Sequence, residues 1–337
     1  MRQPKNLGYE DFKALLTDFG AAHIDSYVNA PLYYLLTGRR GAWVYRSRDA
    51  CVVTCCHPHL DDCIMVFPEV GADPDHRLTA SVLRQLGASE TDVRLVRYTA
   101  EDLEKLTARL AADGEPITVE VVPEDVMDWR YPVRVLDTAR VSALEGSTFV
   151  KIRNKYKRAA DGLTVTPLRD IDTLRALRAA LRFWEGTMIL ERKDTIGMSE
   201  FYDELFKVIE MQPDCVDGLF FQQGRRPVGF SVWEALDGKT ANLYVNLCDS
   251  TVIGLSDFQL VNSCRHLAEN GYSLLNMGGS ELESLDSFKS KYGPAQSIDL
   301  LSAKVTYSLS RTSSDMEIHT VIEPTVGVRH HTFPASL

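Results

Sequence analysis

The sequence predicts an α/β protein of two tandem domains, each a mixed, mostly antiparallel sheet flanked by helices. Three observations predict it. The chain has 337 residues, more than the ~100–200 of one ordinary domain. Strand-like and helix-like stretches alternate in both halves. The second half also holds three consecutive strand signals, with a strong hairpin turn, Asp237-Gly238, between the last two. Hydrophobic residues make up 45% and charged residues 25% of the chain, enough for two soluble cores.

The first half reads as follows. Tyr9, Phe12, Leu15, Leu16 and Phe19 share one face of a helix over 9–19, which Gly20 is expected to stop. Residues 42–46 and 51–55 read as strands around the turn Arg46-Ser47-Arg48-Asp49, and 63–67 as another. A helix over 76–86, a strand over 93–97, a helix over 100–112 ended by Asp113-Gly114 and a strand over 117–122 follow. Residues 1–137 form the expected N-terminal domain.

Residues 138–162 link the halves. Ser147 can cap a helix over 148–160, which Asp161-Gly162 ends. Phe149, Ile152 and Tyr156 form its apolar stripe, while Lys151, Lys155 and Arg158 share another face and Arg153 and Lys157 flank the first. In the second half, 163–168 reads as a strand. Leu174, Leu177, Leu181 and Trp184 mark a helix over 171–184, and Phe201, Leu205, Val208 and Ile209 one over 199–210. Strands at 218–223, 227–236 and 240–248, a helix at 255–269, a strand at 272–277, a helix at 282–291 and a strand at 298–309 complete a domain over 163–312. Residues 313–337 read as a tail with a strand signal at 316–322. The order β-α-α-β-β-β-α-β-α-β resembles that of the GNAT acyltransferase fold, which identifies no chemistry by itself.

A net charge of −10 argues against a protein that coats nucleic acid through overall charge. The N-terminus lacks a signal-peptide core, no apolar run is long enough for a membrane span, and seven cysteines show no framework spacing. These imply a cytoplasmic protein with free thiols. The segment Cys51 to Cys63, with Cys55-Cys56-His57-Pro58-His59, is dense in metal-ligand types, but no second cysteine pair accompanies it, and it reads as strand, turn and polar loop with no metal.

Chemistry is expected in the second half. Period two puts Asn242, Tyr244, Asn246 and Cys248 on one face of their strand and Leu243, Val245 and Leu247 on the other, so the polar face can line a cleft. The loop 249–256, with Thr251, Gly254 and Ser256, leads into a helix N-terminus where backbone amides could hold a pyrophosphate. Only one glycine is present there, which weakens a coenzyme A site. Asn276-Met277-Gly278-Gly279-Ser280-Glu281 joins a strand to a helix, its glycines permitting close backbone approach.

That corner, together with Leu285-x-x-Phe288-Lys289-x-Lys291-Tyr292-Gly293-Pro294, resembles the C-terminal signature of the FemAB-like aminoacyl transferases, and more closely that of the soluble domain of phosphatidylglycerol lysyltransferases. The stretch Leu144-Glu145-Gly146-Ser147-x-Phe149-x-Lys151-Ile152-Arg153-Asn154-Lys155 resembles that group's inter-domain segment. The resemblance covers most of residues 130–309 and implies a degenerate GNAT-like domain before it. It further implies transfer of an aminoacyl group from charged tRNA, a co-substrate rather than a cofactor, to the amine or hydroxyl of a small-molecule acceptor, as in natural-product biosynthesis. Under it Lys289 stabilises the oxyanion, and Glu281 or Asp286 serves as a base where one is needed. Asn242, Tyr244, Asn246, Gly278, Gly279, Ser280 and Phe288 would surround the substrate. Lys151, Arg153, Asn154, Lys155, Lys157 and Arg158 would meet tRNA phosphates. Two other readings stand beside this one: an acyl-coenzyme A N-acyltransferase, with acetyl-CoA or another acyl-CoA in the same cleft, and a non-catalytic binding module.

Overall fold

The computed structural model describes residues 8–19, 30–72, 74–88, 91–123, 129–190, 198–235 and 238–308. The expectations for Gly20, Asp237 and the strand at 316–322 lie outside them.

Helices α1 (Tyr9–Asp18) and α2 (Pro31–Thr37) precede strands β1 (Ala42–Arg46), β2 (Ala50–Cys56), β3 (Cys63–Val66) and β4 (Val70–Gly71). Then come α3 (Arg77–Gly87), β5 (Asp92–Tyr98), α4 (Ala100–Ala112) and β6 (Ile117–Val122). The helix over 100–112 forms because Thr99 caps it, accepting from the Asp102 amide, while Leu103, Leu106 and Leu110 are buried. The connection holds β7 (Val133–Asp137), α5 (Thr138–Ala143) and α6 (Val150–Ala160). The rest comprises β8 (Leu163–Pro167), α7 (Thr173–Leu190), α8 (Met198–Met211), β9 (Asp217–Gln223), β10 (Arg226–Ala235), β11 (Thr240–Cys248), α9 (Leu255–Glu269), β12 (Leu274–Asn276), α10 (Glu283–Ser290), β13 (Gln296–Ile298) and β14 (Leu301–Tyr307).

Two seven-stranded sheets result. The first runs β1-β2-β3-β5-β14-β6, with β4 on β2, and the second β13-β7-β12-β11-β10-β9-β8. The strand expected over 298–309 is therefore two strands that part company. Gln296–Ile298 pairs with β7 in the second sheet, whereas Leu301–Tyr307 inserts between β5 and β6, one strand in from the edge of the first. In return β7 enters the second sheet beside β12. The sheets thus exchange strands across the boundaries drawn at 137 and 163. Alternation marks a strand but not the sheet it joins; here the backbone groups of β5 and β6 take up β14 on both edges.

One face of the second sheet is covered by α5, α6 and α9, whose Val141, Ile152, Phe258 and Val261 share a core with Trp233 and Leu243. The other face meets α7 and α8, through Leu177, Leu181, Leu205 and Phe206, and also Tyr9 and Leu32 from the beginning of the chain. A further cluster joins α1, α2, the first sheet, Trp129 and β7. No helix among the described residues is long and apolar enough to cross a membrane.

Candidate active site

The second sheet opens where two strands part. Parallel pairing of β11 with β12 covers Thr240↔Leu274, Ala241↔Leu275 and Asn242↔Asn276. Beyond Asn276 the chain turns off through Met277, while β11 runs on to Cys248. The gap forms a cleft of about 340 Å³. Leu243–Asn246 and Cys248 line one wall, Met277, Leu285, Phe288 and Lys289 the other, with Ser256 from the first turn of α9 and Tyr202 from α8 closing it.

Four successive β11 residues reach the cleft because the strand is bulged. The register runs Val232↔Val245 and then Trp233↔Leu243, so Tyr244 is an extra residue. The bulge flips the pleat. Leu243 joins the core under α9, whereas Val245 and Leu247 join the core under α7 and α8. The expectation of one polar and one apolar face along the whole strand is corrected accordingly. Asn246 bonds to Ser231 Oγ at 2.7 Å, while the Tyr244 hydroxyl donates to Glu234 Oε2 at 2.8 Å. Asn242 is fully buried and does not line the cleft, and its amide has no partner.

Lys289 is 7% exposed. Its Nζ donates to the Gly278 and Gly279 carbonyls. The Gly-Gly corner therefore turns carbonyl oxygens toward the lysine instead of amides toward a ligand. Gly278 takes φ +65°, its N–H donates to Asn276 Oδ1 at 2.9 Å, and its carbonyl also accepts from the Arg134 amide. Ser280 is bridged to Tyr131. Neither glycine nor Ser280 lines the cleft. The two expected bases stand outside it as well. Arg134 Nε and Nη2 hold both Asp286 oxygens at 2.9 and 3.0 Å, fastening α10 to β7, and Glu281 is half-buried away from the lining residues.

The basic helix lies against α9. Lys151, Asn154, Lys155, Lys157 and Arg158 are exposed. Arg153 is diverted: its Nη1 donates to the carbonyls of Leu144 and Gly146 and holds the end of α5. Between this helix and the cleft sits Asp257, a 1% exposed carboxylate that sequence reasoning missed. Tyr292 Oη donates to its Oδ1 at 2.6 Å, Lys291 Nζ lies 2.7 Å from the same oxygen, and Lys155 Nζ lies 3.7 Å from Oδ2. Burial lowers the Lys291 pKa although Asp257 opposes the shift, and its ammonium lies 4.1 Å from the centre of the Phe288 ring.

Glu234 was also missed. It is the one acid in the apolar run Val228–Ala235, which was its available signal. Burial raises its pKa to about 7. In the first half, His57 folds into its own turn, Nδ1 accepting the His59 and Leu60 amides at 3.1 Å each, and burial pushes its pKa down to about 4. All seven cysteines are free thiols.

Residues 25–314 match the family described as phosphatidylglycerol lysyltransferase, C-terminal. No curated protein matches the chain significantly. Among solved structures, L-PGS from Bacillus licheniformis superposes with a TM-score of 0.61 at 15% identity, covering 93% of this chain and 95% of its own. FemX does so with a TM-score of 0.61 at 9% identity, over 90% and 97%. A tandem GNAT protein from the clavulanic acid biosynthesis pathway gives 0.50 at 12% identity, over 92% and 99%. These likenesses establish the tandem GNAT fold, and the match over most of its length places the chain in the phosphatidylglycerol lysyltransferase C-terminal family.

Proposed function

We propose that the protein transfers an aminoacyl group from aminoacyl-tRNA to the amine or hydroxyl of a small acceptor, with no further cofactor. The observation that carries this reading is a buried ammonium, Lys289, in the wall of a cleft beside an acid-free basic helix. The exposed cations of α6 hold phosphates of the acceptor stem without reading sequence. The terminal aminoacyl ester enters between β11 and Met277. Attack on its carbonyl moves the π electrons onto oxygen, and the Lys289 ammonium stabilises that oxyanion. One such donor contributes about 3–4 kcal/mol to the transition state. The Gly278 and Gly279 carbonyls hold the ammonium in place before the ester arrives. Collapse expels the ribose oxygen and leaves the aminoacyl group on the acceptor.

Coenzyme A is disfavoured by the loop before α9. Gly254 packs so closely on α6 that a Cβ there would stand 2.6 Å from the Lys155 carbonyl oxygen. Asp249 accepts from the Thr251 amide and hydroxyl, and Asp257 occupies the first helical turn. The Thr251 donors are thus taken up by Asp249 and do not face a pyrophosphate.

The test offers purified protein a radiolabelled aminoacyl-tRNA pool with and without a panel of small amines. One tRNA species is expected to lose its label, and Lys289→Ala to slow that loss about 10²–10³-fold. Intact charged tRNAs with consumption of acetyl-coenzyme A refute the proposal.

A further inference from the structure

We propose that Tyr244 and Glu234 form a proton relay in the cleft wall, Tyr244 receiving the proton of the attacking acceptor while passing its own to Glu234. This rests on the transfer reading above.

Geometry supports it. The bulge places Tyr244 in the cleft lining and its hydroxyl 2.8 Å from Glu234 Oε2. Glu234 itself is fully buried and reaches the cleft only through that phenol. Its other oxygen accepts the Leu32 amide of α2 at 3.2 Å. Among the described residues, the other titratable or charged groups acting on it are Tyr9, which bonds to the carboxylate, and Lys13, both from α1, and the Cys215 thiol. Asn242, its cross-strand neighbour, adds no charge. Bonds from Tyr244, Leu32 and Tyr9 and the charge of Lys13 favour the anion, yet burial outweighs them and sets the carboxyl near 7. A carboxylate that only capped α2 has no need to change protonation; this one sits where neutral pH leaves it able to gain a proton.

The step balances. The acceptor nitrogen forms its bond to the ester carbon as the carbonyl pair moves to the oxyanion facing Lys289. The ammonium proton so created passes to Tyr244 Oη, whose own proton moves to Glu234 Oε2. As the intermediate collapses, the C–O bond to the ribose breaks. The departing alkoxide takes its proton back through Tyr244, which regains one from Glu234. No external acid, base or oxidant is consumed.

The experiment is single-turnover transfer from radiolabelled aminoacyl-tRNA to glycinamide, its free-base concentration held constant between pH 5.5 and 8. The wild-type rate is expected to rise about tenfold per pH unit below 7 and then level. Glu234→Gln is expected to abolish that rise, and Tyr244→Phe to slow transfer about 10²-fold at pH 8 with tRNA affinity unchanged. An active wild type whose pH profile survives in Glu234→Gln overturns the relay alone. A Tyr244→Phe protein at the wild-type rate does the same, with the Glu234 carboxyl still present behind the cleft wall. A wild type that leaves every charged tRNA intact refutes the transfer reading and the relay with it.

Discussion

Glu234 makes the pH dependence of stability a direct probe of the cleft wall. Burial raises its pKa from an ordinary 4.5 to about 7 in the folded protein. Between those values the native state binds the proton that the unfolded chain has released, so stability falls as pH rises through this window. At about 1.36 kcal/mol per pH unit the full penalty is on the order of 3 kcal/mol, of which about 2–3 kcal/mol develops between pH 5 and pH 8. Glu234→Gln keeps the shape and removes the titration. Any hydrogen bond lost to the amide is the same at both pH values and cancels in the comparison. Urea denaturation of both proteins at pH 5 and pH 8 is the assay: the variant should gain about 2–3 kcal/mol relative to wild type at the higher pH. A difference that stays constant would show that Glu234 is already ionised at pH 5, and would remove its capacity to accept a proton near neutrality.

Asp257→Ala strands the half-buried Lys291 and the Tyr292 hydroxyl together, and should cost about 2–4 kcal/mol; Asp257→Asn, which retains an acceptor for Tyr292, should cost less. Thermal midpoints of the two variants check that order. Replacing Lys151, Lys157 and Arg158 by Ala should reduce the slope of log K against log salt for tRNA binding by about 2, at ~0.7–0.9 per phosphate contact, with little change in the thermal midpoint; an unchanged slope moves the nucleic-acid contact off α6. Gly254→Ala combines φ +82° with a Cβ 2.6 Å from the Lys155 carbonyl oxygen, and should lower stability by roughly 1–3 kcal/mol in a denaturant titration.

Most elements were legible because their patterns are local. Thr99 and Leu103, Leu106 and Leu110 specify α4 without reference to anything distant. The helix α2 escaped because Pro31-Leu32-Tyr33-Tyr34-Leu35-Leu36 is apolar on every side, and it is apolar on every side because it lies between the sheets' cores. What β14 pairs with was not legible, since alternation is identical whichever sheet a strand enters. Within the cleft, Tyr244, Asn246, Phe288 and Lys289 were found by strand period and by resemblance. Asn242 was placed on the cleft by a period that a one-residue bulge interrupts; nothing in Leu243-Tyr244-Val245 announces that bulge. Asp286 resembled a base by proximity along the chain, but its partner Arg134 lies 152 positions earlier.

The arrangement of charge around the cleft has a common logic. An oxyanion is stabilised by a positive charge that is held firmly yet not cancelled. The Gly278 and Gly279 carbonyls do the first for Lys289, since dipoles orient an ammonium while leaving its charge in place. Nearby acids are engaged elsewhere: Asp286 by Arg134 in a two-point bond, Asp257 by Lys155 and Lys291, Asp249 by Arg226. Each of those pairs also fastens a moving part of the problem to the sheet or helix beneath it, α10 to β7, α6 to α9, the loop before α9 to β10. The same contacts that fix the cleft walls therefore pair these carboxylates with cations. Glu234 is the exception: among the described residues the cation acting on it is Lys13, through its field alone, and it lies behind Tyr244, where a carboxyl near neutrality can exchange a proton with the cleft without placing a permanent negative charge in it.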